Sequence, residues 1–306
     1  MNREWDSRVR AAAFEFLKRK GELDDDTINR VDLLKGFELD GQRIPLVSPQ
    51  GIFTPAVLDC PLSISTTAPK LREPAPYHDT ITDDGRLIYR YRGTDRWHPD
   101  NVGLRTCMKE KLPLVYFYGL IPGKYMATWP IYVVGDNPAE HAFYCAVEDK
   151  CLSTSDHMKL VTADEREYGR RYNTIETKQR LHQRSFRERV LAAYKSCCAI
   201  CRLKHAELLD AAHIISDGKD KGDPVIPNGI ALCKLHHAAF DRNILGIRPD
   251  YILEIREDIL REHDGPMLKF GLQEIHGQEI RRPGPVEFRP DQTRLEIRYE
   301  EFRAAG

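Results

Sequence analysis

The chain has 306 residues, of which 41% are hydrophobic and 30% charged, with a formal net charge of −1. This is the make-up of a water-soluble globular protein long enough for two domains with cores of their own. No apolar run approaches the roughly 18 residues of a membrane span. No apolar stretch follows Met1-Asn2-Arg3-Glu4-Trp5-Asp6, so no signal peptide is expected. Cys60, Cys107, Cys145 and Cys151 are scattered in apolar or mixed surroundings and read as reduced packing residues, which points to a cytoplasmic protein.

Residues 7–20 have the spacing of an amphipathic helix, and Asp24-Asp25-Asp26-Thr27 offers a second helix start running to about Lys35. From Phe37 to Ile64 the pattern turns to short extended pieces broken at Asp40-Gly41, at Pro49-Gln50-Gly51 and at several prolines. Residues 66–80 read as a loop or linker. Strands are expected at 86–92, 113–118, 130–134 and 141–147, with a short helix at 101–109 between the first two. Residues 150–173 are polar, and Thr174 to Lys195 reads as a helix with Phe186, Val190 and Tyr194 on one face. After Pro249 come a strand at 251–256, a helix at 257–262 and a Pro-rich tail ending in Leu295-Glu-Ile-Arg-Tyr.

The net charge hides an asymmetry. From Arg166 to Lys204 there are eleven Lys/Arg against three acids. A solvated linker helix would look the same, but a basic helix can also neutralise phosphates, and Arg180, Arg184 and Arg187 are the candidates for that contact.

The most informative stretch follows directly. Cys198-Ala-Ile-Cys201 and Cys233-Lys-Leu-His236 are a Cys-x2-Cys and a Cys-x2-His pair, the two knuckles of a closed tetrahedral Zn2+ site. Cys197 could replace Cys198, though the spacing favours Cys198. His213 sits in Ala-Ala-His-Ile on an expected strand, and Asn228 in Pro-Asn-Gly. His237 opens a helix, with Asp241 four residues on and on the same face. Taken singly, these are a core histidine, a turn and a redox pair. Their joint occurrence in about 45 residues needs one explanation.

Residues 197 to about 248 resemble the HNH endonucleases, whose zinc-stabilised ββα-metal finger cuts nucleic-acid backbones with one divalent ion. The resemblance implies that His213 is the general base, that Asn228 holds the finger's loop and orients that histidine, and that His237 and Asp241 bind catalytic Mg2+ or Mn2+. It implies a structural Zn2+ on Cys198, Cys201, Cys233 and His236. Many members carry Asp or His just before the base. Here that position is Ala212, which cannot ligate, and Asp210 falls on the opposite strand face.

Tyr89-Arg90-Tyr91-Arg92-Gly93, Asp100-Asn101-x-x-Leu104, Pro113-Leu-Val-Tyr116 and Gly123-Lys-Tyr125, together with Asp83-Asp84-Gly85, resemble in order the SRA domain. That PUA-like curved β-barrel reads modified cytosine by flipping it into an aromatic pocket. The family's Tyr-Asp-Gly signature is missing, and Trp129-Pro130 stands nearby. Tyr125, Trp129 and Tyr132 are then the candidates for stacking on a base.

The expected fold is α+β. An SRA/PUA-like recognition domain with N-terminal helices spans 1–155, a basic linker and helix 156–196, and a zinc-stabilised HNH domain 197–306. The expected function is that of a modification-dependent (type IV, McrA-like) restriction endonuclease acting on double-stranded DNA, with a homodimer left open. The alternatives are an HNH nuclease that reads phosphorothioate backbone or plain sequence, and a zinc-dependent DNA-binding protein without catalysis.

Overall fold

The computed structural model describes residues 2–23, 27–73, 86–147 and 163–306, without the side chains of 22–23, 163–175 and 178. The helix start at Asp24-Asp25-Asp26, the Asp83-Asp84-Gly85 triplet and Cys151 lie outside the described residues. The chain divides into two compact units, Met1–His182 and Gln183–Gly306. Both mix helices with strands, so the protein is α+β. Among the described residues no helix is long and apolar enough to cross a membrane.

The first unit runs α1 (Arg3–Leu23), β1 (Thr27–Asn29), α2 (Arg30–Lys35), β2 (Phe37–Leu39), β3 (Gln42–Ile44), β4 (Ile52–Phe53), β5 (Ser63–Ser65), β6 (Leu87–Arg90), α3 (Pro99–Glu110), β7 (Leu114–Ile121), β8 (Lys124–Asn137) and β9 (Ala142–Val147). The turn between β2 and β3 is Asp40-Gly41, both at positive φ (50° and 73°), the two-residue turn whose twist suits a hairpin. Seven strands form one sheet in the order β4-β5-β7-β8-β9-β6, with β1 added to β8. Only β5 against β7 is parallel among these pairs.

β7 explains the layering. Its burial is continuous from Leu114 to Leu120, and its alternate residues serve two cores. Leu114, Tyr116, Tyr118 and Leu120 pack with Leu104 and Cys107 of α3. Val115 and Phe117 pack with Val9, Ala13 and Leu17 of α1. A strand buried on both faces reads as an unbroken apolar run. Cys60, Cys107 and Cys145 are buried and free in these cores.

β8 is longer than the 130–134 segment expected. Lys124–Met126 pair with β1, and Ile131–Asn137 pair with β9. Pro130 sits between these two partners, where the register against β7 slips: Leu114 faces Ile131 while Tyr116 faces Thr128. A proline cannot donate to a ladder, so it is tolerated at such an irregularity.

The long helix α4 (Ala163–Ala193) runs through the boundary between the units. In the second unit β10 (Leu209–His213) and β11 (Gly229–Cys233) form an antiparallel hairpin, followed directly by α5 (Lys234–Asp241). Then come β12 (Leu245–Ile247), β13 (Leu253–Ile255), α6 (Glu257–Arg261), α7 (Pro266–Gly271) and α8 (Gln292–Ala305). The expected tail is thus a helix at its end. Asp291 caps it by accepting from Arg294 N (2.9 Å), and Leu295 and Phe302 are buried seven residues apart. Arg298 of α8 donates to Phe240 O at the end of α5 (2.5 Å), where carbonyls lack helical partners.

In the first unit Arg10 and Asp6 of α1 are both 2% exposed. Arg10 Nε donates to Asp6 Oδ1 (2.6 Å), and Nη1 donates to Pro61 O (3.0 Å) and Pro113 O (2.7 Å). This guanidinium therefore fastens α1 to two loops. Arg10→Ala should destabilise the protein by about 3–5 kcal/mol, because it strands a buried carboxylate and two carbonyls. In denaturant titrations Arg10→Ala combined with Asp6→Ala should lose less than the sum of the single losses; simple additivity would contradict the pairing.

Candidate active site and metal centre

The two knuckles meet. The ligand atoms of Cys198, Cys201, Cys233 and His236 all lie within 4.8 Å of one another. Cys201 Sγ is 3.8 Å from Cys233 Sγ, Cys198 Sγ is 3.6 Å from His236 Nδ1, and Cys233 Sγ is 3.1 Å from His236 Nδ1. A tetrahedral Zn2+ with bonds of about 2.3 Å to sulfur and 2.0–2.1 Å to nitrogen separates such atoms by about 3.5–3.8 Å. His236 Nε2 donates to Gly271 O (2.8 Å), which leaves Nδ1 free to ligate. Cys233 N donates to Cys198 Sγ (3.3 Å), so a sulfur carrying negative charge is already solvated. The donor set fits a structural Zn2+. Cys197 is turned elsewhere: its Sγ accepts from Arg281 Nη1 (3.1 Å).

The same helix carries the second centre. His237 follows the ligand His236 and is rotated about 100° from it around α5. Its Nε2 lies 3.3 Å from Asp241 Oδ2. Two ligands at right angles on an ion with bonds of about 2.1 Å stand about 3.0 Å apart. One imidazole, one carboxylate and open positions suit Mg2+ or Mn2+. His237 Nδ1 lies 3.4 Å from Asp210 Oδ2, which also accepts from Lys234 Nζ (2.6 Å). The bond from His237, helped by Lys234, holds the Asp210 carboxyl well below the usual carboxylate range, and Asp210 in turn pushes His237 up. Strand parity along β10 did not show that the Asp210 carboxylate reaches the other nitrogen of His237. Ala212 is fully buried.

His213 closes β10 and pairs with Gly229. Phe186 of α4 stacks on its ring at 3.9 Å between centroids and 15° between planes. A Cβ on Gly229 would stand 2.4 Å from Val190 and 2.8 Å from Phe186, so the glycine is what lets α4 approach. Burial pushes the His213 pKa down, and its Nε2 has no hydrogen-bond partner among the described residues. Desolvation thus favours the neutral imidazole, and this Nε2 is buried away from solvent. Sequence reasoning placed Phe186 on a helix face and missed this stacking.

Asn228 is completely buried. Its Nδ2 donates to Ile215 O (2.9 Å) and Asp223 O (3.0 Å), and its Oδ1 accepts from Ile215 N (3.0 Å). The amide closes the loop between β10 and β11 immediately after His213, and so fixes where that residue ends the strand.

The basic helix divides. Arg180 is exposed and pairs with Glu176 (3.2 Å). Arg184 is half-buried and has partners of its own. Arg187 is engaged within the nuclease unit: it donates to Ala206 O (3.2 Å) and Leu209 O (2.8 Å), lies 2.8 Å from Glu188, and is 3.6 Å from Asp210. It is a latch on the start of β10. Of the three candidate base platforms in the first unit, Tyr125 is 7% exposed in the α1-side core, its Oη accepting from Arg30 (3.1 Å). Trp129 and Tyr132 line a cavity of about 920 Å³ with Phe14, Arg3 and Lys18.

Two outcomes follow from these contacts. Elemental analysis should find about one zinc per chain, lost in Cys233→Ser and retained in Cys197→Ser; loss in the latter would move the ligand by one residue. Without added divalent ion, the His213 ring followed by NMR should titrate below the ordinary ~6.5 of histidine. Phe186→Ala admits water to the ring, penalises the cation less and should raise that midpoint. An unchanged or lower midpoint would mean that Phe186 is not what desolvates it.

Comparison with curated proteins finds no match. Among solved structures the chain is similar to a modification-dependent TagI restriction endonuclease, at 15% identity over 79% of this chain and 82% of that one, with a TM-score of 0.28. It is also similar to the type IV phosphorothioation-dependent restriction endonuclease ScoMcrA, at 16% identity over 62% of this chain and 54% of that one, with a TM-score of 0.24. Scores this low carry no argument about this chain's fold or substrate. The family model for HNH endonucleases matches residues 198–248, the stretch that holds the Cys3His cluster, His213, Asn228, His237 and Asp241. Residues 198–248 are an HNH endonuclease domain.

Proposed function

We propose that the protein is a metal-dependent DNA endonuclease that restricts foreign DNA carrying modified bases, with 1–155 as reader, 156–196 as basic linker and 197–306 as nuclease. One observation carries the cleavage reading: a single hairpin and helix bring a neutral His213, a His237–Asp241 pair and a Cys3His cluster together in the matched segment. A divalent ion on His237 and Asp241 would supply polarisation of the scissile phosphate and neutralise charge at the leaving oxygen. His213 accepts the proton of the attacking water as the P–O bond to the leaving group breaks. Asp210 orients His237 through Nδ1, and Asn228 keeps the loop after His213 closed.

The reader assignment rests on the SRA-like motifs and on the cavity, whose Trp129, Tyr132 and Phe14 offer aromatic surface in a volume suited to a small ligand such as a nucleotide. The test is digestion of unmodified plasmid, hydroxymethylated phage DNA and phosphorothioated DNA of matched sequence with Mg2+ or Mn2+. Base-modified DNA should be cut fastest, and His213→Ala should lower the rate by about 10²–10⁴ without loss of zinc. Equal cutting of all substrates would remove the modification-dependence, and preference for phosphorothioate would move the reader to the backbone. Binding without any cutting would leave a DNA-binding protein.

A further inference from the structure

The loop joining β6 to α3, residues 91–98, is held in shape from α3. Asn101, completely buried, donates from Nδ2 to Arg92 O (3.1 Å) and Asp95 O (2.8 Å) and accepts at Oδ1 from Arg92 N (2.9 Å). Arg105, one turn further on, donates to Arg96 O (2.5 Å), to Asp136 Oδ2 (2.7 Å) and to Tyr91 Oη (3.0 Å). Asp95 Oδ1 accepts from Trp97 N (2.8 Å). Two polar side chains of one helix are thus committed to the backbone of a surface loop.

What that loop presents is Trp97, 68% exposed. Arg96 lies over its ring at 4.9 Å and Arg105 at 5.9 Å. Arg105 is paired with Asp136, whereas Arg96 has no carboxylate partner among the described residues. A single exposed apolar residue needs no explanation. A tryptophan on a braced loop beneath a guanidinium without a counter-charge does. Protein interfaces bury aromatic anchors in centres depleted of charge, whereas Trp97 stands among Asp95, Arg96 and His98. Aromatic faces with flanking arginines are the equipment for holding bases and phosphates.

We propose that residues 91–98 form a DNA-contacting finger in which Trp97 stacks on a base while Arg96 takes a neighbouring phosphate. The proposal rests on the reading that the chain binds DNA, and it adds a contact that neither the nuclease motif nor the cavity supplies. Of the three tryptophans, Trp5 and Trp129 are partly buried, so acrylamide quenching reports mainly on Trp97. The experiment uses the full chain with His213→Ala as background, fluorescence anisotropy on labelled duplex, quenching with and without DNA, and sedimentation.

DNA should protect tryptophan fluorescence from acrylamide, and Trp97→Phe should remove most of that protection while binding stays within a few-fold. Trp97→Ala should weaken binding by about 5- to 100-fold, the value of one base–aromatic stack, with an unchanged melting temperature. Arg96→Ala should weaken binding and flatten its salt dependence. Should Trp97→Ala fold poorly, the quenching of the parent and Arg96→Ala decide. Full affinity in Trp97→Ala, or quenching unaffected by bound DNA, overturns the finger while leaving DNA binding in place. A change in sedimentation without a change in affinity assigns Trp97 to self-association instead. Absence of binding by the parent itself overturns the DNA reading on which both rest.

Discussion

The second unit depends on how the start of α5 is clamped. Cys233 ends β11 and His236 lies one turn into the helix, so two of the four side chains that could hold a metal ion bracket the junction. Fixing that junction fixes the helix's rotation. With 3.6 residues per turn, His237 must then look away from the cluster, and Asp241, four residues on, must share its face. Ala239 and Phe240 are buried on the same helix, so packing and the Gly271 carbonyl on His236 Nε2 set this angle together. That angle brings His237 and Asp241 side by side.

His213 and His237 are pulled in opposite directions by their surroundings. Burial under an aromatic ring disfavours the His213 cation, and its Nε2 has no hydrogen-bond partner among the described residues. His237 leans on Asp210, so positive charge is welcome beside it. Environments that separate the pKa values of like groups make the two imidazoles chemically unlike. The same carboxylate that raises His237 also orients it, since an imidazole bonded at Nδ1 presents Nε2 outward.

Much of this was legible in the sequence because metal chemistry demands fixed residue types at fixed spacing. Cys198, Cys201, Cys233 and His236 could be named from two short pairs, and His237 with Asp241 from helical periodicity. What escaped were contacts between elements distant in sequence. Asp210 is set 27 residues before the histidine it touches, and parity along β10 speaks only to which strand residues share a face. Phe186 had the pattern of a core residue, and nothing in its own neighbourhood names His213 as its partner. In the first unit, continuous apolarity revealed β7, but β8 was cut short because Pro130 looks like a strand beginning. Pro130 is tolerated mid-strand because one neighbouring strand ends and another begins around it.

Charge runs are the least self-explanatory signal, and the basic segment shows why. Arg180 and Arg187 are seven residues apart on α4 and so near one face by periodicity, yet their chemistry differs. Arg180 meets solvent and an exposed glutamate. Arg187 closes on two carbonyls and the flank of Asp210. It is held by the protein's own backbone at the start of β10. A count of eleven cations between 166 and 204 cannot distinguish a phosphate clamp from such a latch. In contrast, it is the braced loop around Trp97 that makes Arg96 conspicuous. The same side chain thus does opposite work in the two places: Arg187 closes on the protein's own carbonyls, whereas Arg96 lies over an exposed indole ring.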